Sequence, residues 1–220
     1  MNNDLTIIYY TRNCENKDFE YRIRRALSKS IGKRPLVSVS QYPIRFGKNI
    51  CVGKVGRSNH NALRQMQIGA MEAKTKYVSM AESDTLYPTD LFDFVPPRDD
   101  TFYIAKPFYV LFNQRGTKRI YALKPKSSES AMVVSREHLL NRMDEMFNGK
   151  DQWDTKHQPY LVQHKKIEFF NVSYPVVSFK TDFGMHRKSP HDRGSYCTTL
   201  PHWGYVYDLI KEYNFENAAS

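Results

Sequence analysis

Glu82 and Asp84 stand one residue apart, immediately after the apolar run Lys76-Tyr-Val-Ser-Met-Ala81. A run of that length and composition reads as a buried strand, so both carboxylates fall at its carboxyl end. In an open α/β sheet, ligands bind just beyond the carboxyl ends of the strands. Two oxygen donors there can hold a hard divalent cation, Mn2+ or Mg2+, which in turn clamps a diphosphate. An acid-x-acid triplet alone says little, because most chains contain several. Its place after a strand, and before Thr85-Leu-Tyr-Pro88, is what makes it specific.

The elements around the pair follow a recognisable rhythm. Leu5-Thr-Ile-Ile-Tyr-Tyr10 is β-branched and aromatic, stops at the polar cluster Thr11-Arg-Asn13, and reads as a first strand. Phe19, Ile23, Leu27 and Ile31 recur every fourth residue, which predicts an amphipathic helix ended near Gly32 and Pro35. Leu36-Val-Ser-Val39 is a second strand. Ser58 or Asn59 can cap a second helix, on which Leu63, Met66, Ala70 and Ala73 form an apolar stripe. The run ending at Glu82 is the third strand. Strand–helix–strand–helix–strand within 85 residues predicts an α/β sheet with largely parallel pairing. In the second half, residues 101–112 and 167–179 look extended and residues 135–146 helical. Residues 180–203, basic and rich in histidine, look like a loop.

The chain has 220 residues, 40 % of them hydrophobic and 14 % aromatic, enough to fill the core of one domain and to exclude global disorder. No apolar run approaches the roughly 18 residues needed to span a bilayer, and the start lacks a cationic, then apolar, signal segment. Three widely spaced cysteines, Cys14, Cys51 and Cys197, point to reduced thiols and a cytoplasmic protein. Lys and Arg number 33 against 23 Asp and Glu, a formal charge of +10, and the pI is near 9.4. That field favours a polyanionic partner.

The segment from Gly56 through Ala70, then Tyr77-Val-Ser-Met-Ala-Glu-Ser-Asp84, then Pro88 and Leu91, resembles the core of the family-2-like glycosyltransferases of the GT-A fold. The shared features are a glycine, a helix opening with polar and basic residues, a hydrophobic strand, an acidic triplet and a following proline. The likeness is close over residues 4–95 and loose beyond. It implies a GT-A-like (Rossmann-like) three-layer sandwich around a mainly parallel mixed sheet. It also implies one domain over residues 1–220, with a nucleotide-sugar-binding half (1–95) and an acceptor-binding half (96–220). The first acid of the triplet is Glu82 where the family has Asp. Carried over, the family roles make Asp84 a metal ligand, with Glu82 on the ribose or on the metal through water and Ser83 beside them on the donor. Tyr10 and Thr11 lie near the base, and Arg57 or Arg64 near the base or diphosphate of a donor such as a UDP-sugar.

The resemblance further implies a late histidine ligand, for which His186 is best placed and His191 competes. Arg187 and Lys188 beside it would neutralise the leaving diphosphate. It also implies a carboxylate general base at the opening of a helix. Gly149-Lys-Asp-Gln-Trp-Asp154, ahead of the helical-looking residues 155–163, offers Asp151 or Asp154, although the usual Glu of that pair is missing. Capping of a helix accounts for Asp151 equally well. Trp153 between them could stack on a sugar or base.

Two basic stretches, residues 115–126 and 186–193, are interleaved with Tyr121 and Tyr196. Cations that track phosphates and rings that stack on bases are what a nucleic-acid groove uses. Arg115, Lys118, Arg119 and Arg193, with Lys124 and Lys126, are therefore candidate acceptor contacts. The implied acceptor is DNA, as for phage-encoded glycosyltransferases that decorate hydroxymethylated bases. Three rivals remain at this point: a glycan- or small-molecule-directed transferase, a metal-dependent nuclease or phosphoesterase, and a non-enzymatic nucleic-acid-binding module.

Overall fold

The computed structural model describes residues 4–113, 119–125, 128–163, 165–181 and 195–215. Strand β1 (Leu5–Thr11) is buried along its whole length. Helix α1 (Lys17–Ile31) begins where the Asn16 side chain accepts the backbone N–H groups of Asp18 and Phe19, and it ends at Gly32, whose φ is 61°. Then come β2 (Leu36–Ser40), β3 (Lys48–Cys51) and α2 (Asn59–Glu72), the last capped by the Ser58 side chain on Asn61 N–H. Strand β4 (Tyr77–Glu82) turns through Ser83 and Asp84 into the two-residue β5 (Thr85–Leu86).

The second half supplies β6 (Phe102–Phe112), β7 (Ile120–Leu123), β8 (Met132–Ser135), α3 (Arg136–Phe147) and the long β9 (Ile167–Phe179). The short strands β10 (Tyr196–Cys197), β11 (Thr199–Leu200) and β12 (Gly204–Tyr205) lead into α4 (Val206–Glu212). One sheet runs through both halves in the order β10-β7-β6-β8-β4-β1-β2-β3, with β9 pairing β5 and β6. Its β3-β2-β1-β4 part is parallel throughout, as expected from the alternating helices. Beyond β4 the pairing is antiparallel, apart from β6 with β9.

Alternation along β1 builds the layers. Ile8 and Tyr10 face one side, packing with Leu63 and Met66 of α2 and Leu139 and Met143 of α3. Leu5, Ile7 and Tyr9 face the other, with Leu27 and Ile31 of α1. Farther along that side, Phe19 and Ile23 of α1 meet Leu209 of α4 over Leu111, Tyr121 and Phe179. Each fully buried aliphatic of this kind contributes about 1.5–3 kcal/mol of transfer free energy. The result is a three-layer α/β sandwich.

Two expectations need correction, and one strand was not foreseen. Residues 155–163 are not helical. Pro159 has no N–H to give a helix, and the preceding backbone is bonded to α2 instead, as described below. The stretch read as a loop at 180–203 contains β10 and β11, the first pairing with β7 through Tyr196 opposite Ala122. Strand β3, exposed at the sheet edge, has no apolar alternation to announce it.

Helix α2 lies so close to β1 that a Cβ on Gly69 would overlap the Ile8 side chain. Gly69→Val should therefore lower unfolding stability by about 1–3 kcal/mol through overpacking. Urea denaturation would show it as a lower midpoint with an unchanged slope.

Candidate functional site

Parallel pairing of β1 with β4 brings Tyr10 opposite Glu82 at the carboxyl end of the sheet. The buried Tyr10 hydroxyl donates to Glu82 Oε1 at 2.6 Å. Glu82 N–H in turn donates to the Tyr87 hydroxyl at 2.9 Å, and Thr85 Oγ1 donates to Asp84 Oδ1 at 2.9 Å. The triplet is thus held from three directions. Burial, then the charge of Glu82, pushes the Tyr10 phenol well above its ordinary range, so it remains a donor to the carboxylate.

Asp84 carries the strongest electrostatic signal. Burial, then Glu82, then Glu15 push its carboxyl well above the usual carboxylate range, and Lys180 only partly offsets them. Glu15, half-buried after β1, is itself raised, chiefly by burial, while its Oε1 accepts the Thr181 hydroxyl at 2.8 Å. Glu129 is raised too, by burial first and by Glu82 among its neighbours, and it accepts Leu161 N–H at 2.9 Å. Carboxylates that crowd one another in a half-buried recess are a donor set suited to a hard cation, whose charge would relieve the repulsion. No group of three or more His, Cys, Asp or Glu in metal-holding geometry occurs among the described residues.

Glu15 and Glu129 were not among the residues singled out from sequence. Glu15 had a usable signal, since the carboxyl-end argument that selects Glu82 applies equally to the residues just after β1. Glu129 had none, because only the tertiary fold brings it near. Thr11 is buried and lies 3.5 Å from Glu20, to which its hydroxyl donates.

A second constellation covers the start of α2. Gly56 has φ of 85°, and a Cβ there would meet Thr155 Cγ2 at 2.7 Å, so glycine is required for both reasons. Ser58 Oγ donates to the Asp154 carbonyl, Asp154 N–H to Asn61 Oδ1, and Asn59 N–H to Gln158 Oε1. The segment 151–158 is thereby joined to the opening of α2, where Asn59 N–H and Asn61 N–H already have partners within the chain. Arg64 is committed to the same join: its guanidinium lies 3.8 Å from the Phe147 ring centre and donates to the carbonyls of Lys150 and Asp151. Arg57 is exposed at the turn before α2, and Trp153 is half-buried.

The two candidate bases differ. Asp154 Oδ1 accepts the N–H groups of Lys156 and His157, which hold its carboxyl below the ordinary range. Its carboxylate is thus occupied by a turn. Asp151 is exposed, and among the described residues its contacts run through the carbonyl. Ser83 is half-buried in the β4–β5 turn.

Arg119 precedes β7, three strands along the sheet from β5, with Nε on Asn113 Oδ1 at 2.6 Å and its guanidinium 4.9 Å from the Tyr207 ring centre. His186, His191, Arg187, Lys188, Arg193, Arg115, Lys118 and Lys126 lie outside the described residues. Among those described, no helix is long and apolar enough to cross a membrane.

With this geometry in view, the comparisons with known proteins concern the fold. A scan of protein-family models finds no match, and a search of curated proteins finds none. Solved structures do match. Residues 1–349 of S. aureus TarS in complex with UDP-GlcNAc align with 95 % of this chain at 10 % identity and a TM-score of 0.51. This chain spans 64 % of that one. The T. maritima inositol-1-phosphate CTP transferase aligns over 97 % of this chain and 98 % of its own, at 11 % identity and TM-score 0.47. A glycosyltransferase involved in glycosylation of the PBCV-1 major capsid covers 76 % of this chain and 81 % of its own, at 9 % identity and TM-score 0.42. The fold is therefore α/β and GT-A-like.

The join between α2 and the 151–158 segment makes a pH prediction. His60 is fully buried against Phe147, with Nε2 3.0 Å from the Asp151 carbonyl and Nδ1 3.1 Å from His157 Nδ1. A carbonyl can only accept, so Nε2 carries the proton and Nδ1 accepts from His157. Burial holds the His60 pKa below the ordinary value. The unfolded chain therefore takes the proton first, and stability is lost as pH falls from about 6.5 through the folded pKa. Urea midpoints at pH 7.5 and 5.5 should differ in wild type, and His60→Gln should shrink that difference.

Proposed function

We propose that the chain is a divalent-metal-dependent glycosyltransferase that moves a sugar from a UDP-type nucleotide-sugar to a hydroxyl acceptor. The observation that carries this is the crowding of Asp84 by Glu82 and Glu15 at the carboxyl ends of β4 and β1, in a GT-A-like fold. TarS, which shares that fold, is described in complex with UDP-GlcNAc, and this supports the donor class. Asp84 and Glu82 would hold Mn2+ or Mg2+, whose positive charge supplies stabilisation to the departing diphosphate. Tyr10 keeps Glu82 oriented, and Thr85 does the same for Asp84. Tyr10, Thr11, Ser83 and Arg57 belong to the donor side of this reading, as do Arg187 and Lys188.

In the transfer, the acceptor oxygen bonds to the sugar C1 as the bond from C1 to the diphosphate oxygen breaks. The acceptor proton passes to a carboxylate. Asp151 suits that role better than Asp154, whose oxygen is already engaged by two backbone N–H groups. Asp151→Asn should lower turnover by on the order of 10²–10⁴ with donor binding intact, and Asp154→Asn by much less. Equal losses in both variants would point to a shared structural role instead. The acceptor in this reading is a hydroxymethylated base in DNA, supported by the +10 charge.

The metal site has its own test. Asp84 is ionised at a cost, because its raised pKa means that the folded state holds the proton more tightly than the unfolded chain does. Stability contributed by the protonated form is lost as pH rises from the ordinary aspartate value through the folded pKa. Asp84→Asn, isosteric and uncharged, should leave the metal-free protein at least as stable as wild type at pH 7. The same variant should lose the rise in thermal midpoint that UDP-GlcNAc with Mn2+ gives wild type. A variant that still responds fully would rule out Asp84 as ligand.

A further inference from the structure

One cluster on the acceptor side is not used by the chemistry above. Tyr205 and Tyr207 stack with ring centres 5.1 Å apart and planes 23° apart, yet remain 44 % and 43 % exposed. Arg119 lies beside Tyr207, and its guanidinium is fixed in direction by Asn113. Asn113 is anchored in turn, its Nδ2 donating to the Phe215 carbonyl at 2.6 Å. Paired tyrosines with open surface and a cation braced against them are unusual for a solvated face. Long side chains normally keep their rotamer freedom there.

The sheet fixes where this cluster lies relative to the carboxylates. The Asp84 carbonyl accepts Phe179 N–H of β9 at 2.7 Å. Phe179 pairs with Leu111 of β6, and the next β6 residue, Phe112, pairs with Ile120 of β7. Arg119 immediately precedes Ile120. Asp84 and Arg119 are therefore at the same end of the sheet, three strand spacings apart, or roughly 14 Å at about 4.8 Å each.

We propose that Arg119, Tyr205 and Tyr207 form a platform for an unpaired nucleic-acid strand, holding nucleotides neighbouring the one at the carboxylates. This rests on the transferase reading for its orientation, since it assigns the platform to the acceptor. The tyrosines present faces on which bases stack, and Arg119 meets a phosphate. The net charge of +10 complements a polyanion and gives no advantage to a neutral glycan. The strand is unpaired at the platform because a base in a duplex hides its faces. A target base would likewise have to leave the stack to reach the recess.

The test is fluorescence anisotropy with a fluorescein-labelled dT12 strand at 50 and 200 mM NaCl. Wild type should bind, and should lose about ten-fold or more in affinity over that range. Tyr205→Leu and Tyr207→Leu keep apolar bulk but remove the stacking faces, and each should raise Kd at least five-fold. Tyr205→Phe keeps the ring and should bind like wild type, which separates stacking from a general loss of fold. Arg119→Gln should reduce the log–log salt slope by about 0.7. Leucine variants that bind dT12 as wild type does would overturn the platform. So would a neutral chito-oligosaccharide whose binding, unlike that of dT12, depends on Tyr205. Wild-type binding of UDP-GlcNAc with Mn2+, measured alongside, tests the transferase reading separately. Donor binding without dT12 binding overturns the platform alone, and the patterned dT12 binding without donor binding overturns the transferase alone.

Discussion

Negative charge gathered at the carboxyl ends of two parallel strands is the constraint that organises this molecule. Glu82 and Asp84 follow β4, Glu15 follows β1, and burial prevents water from screening them fully. Left alone, such a cluster favours either protonation or spreading apart. The raised pKa of Asp84 records the first tendency, and the fold resists the second. Tyr10 and Tyr87, each buried beneath the triplet, tie Glu82 at side chain and backbone, and Thr85 ties Asp84. A recess held in an electrostatically unfavourable arrangement gains most when positive charge enters it, which is why its geometry speaks for function rather than for stability.

The neighbouring start of α2 shows the opposite economy. Two of its N–H groups are satisfied from within the chain, Asn59 by Gln158 and Asn61 by Ser58, and Asp154 N–H donates to the Asn61 side chain. Gly56 permits the close approach of Thr155, and Gln41 holds the Gly56 carbonyl at 2.7 Å. A helix start can bind phosphate when its donors are open. Here two of them are taken, so in the proposed reading the charge of a diphosphate would be met by a cation at the carboxylates and by basic side chains rather than by this helix. Arg64 is drawn into the same join, and its packing on Phe147 explains why a basic residue sits on an otherwise inward-facing stretch.

Legibility in the sequence tracked how local each signal was. Strands β1, β2 and β4 and helices α1 and α2 were readable because apolar period and capping residue lie within a few positions of one another. Placement of Glu82 and Asp84 followed from β4 and a general rule about sheets. The segment 155–163 misled, since its composition suits a helix while the Gln158 side chain and the Asp154 backbone just before it are bonded to the start of α2, about a hundred residues earlier. Asp154 misled for the same reason, a carboxylate whose partners are its own next residues in a turn. Glu129 and the Arg119–Tyr207 pair were invisible because they depend on contacts between distant strands and loops.

In the proposed transfer, these distant contacts also bear on the side from which an acceptor would approach. The recess is bordered by β1 and β2 on one side and by β9, β6 and β7 on the other. On the first side, Gln41, Gly56, Asn61 and the 151–158 segment are knit together by hydrogen bonds and by the Gly56–Thr155 contact. Opening that side would break several of these bonds at once, each costing on the order of 1 kcal/mol net and more where a buried group is left unpaired. On the second side, among the described residues, the strand ends carry Lys180, whose charge partly offsets the shift of Asp84, and Arg119, held by Asn113. An incoming hydroxyl must also approach the sugar carbon away from the diphosphate, if the bond it forms is to replace the one that breaks in line. For a donor seated over β1 and β4, that direction is the β9–β6–β7 side. In the proposed transfer, then, the half of the sheet with mixed pairing is the half that chooses the acceptor.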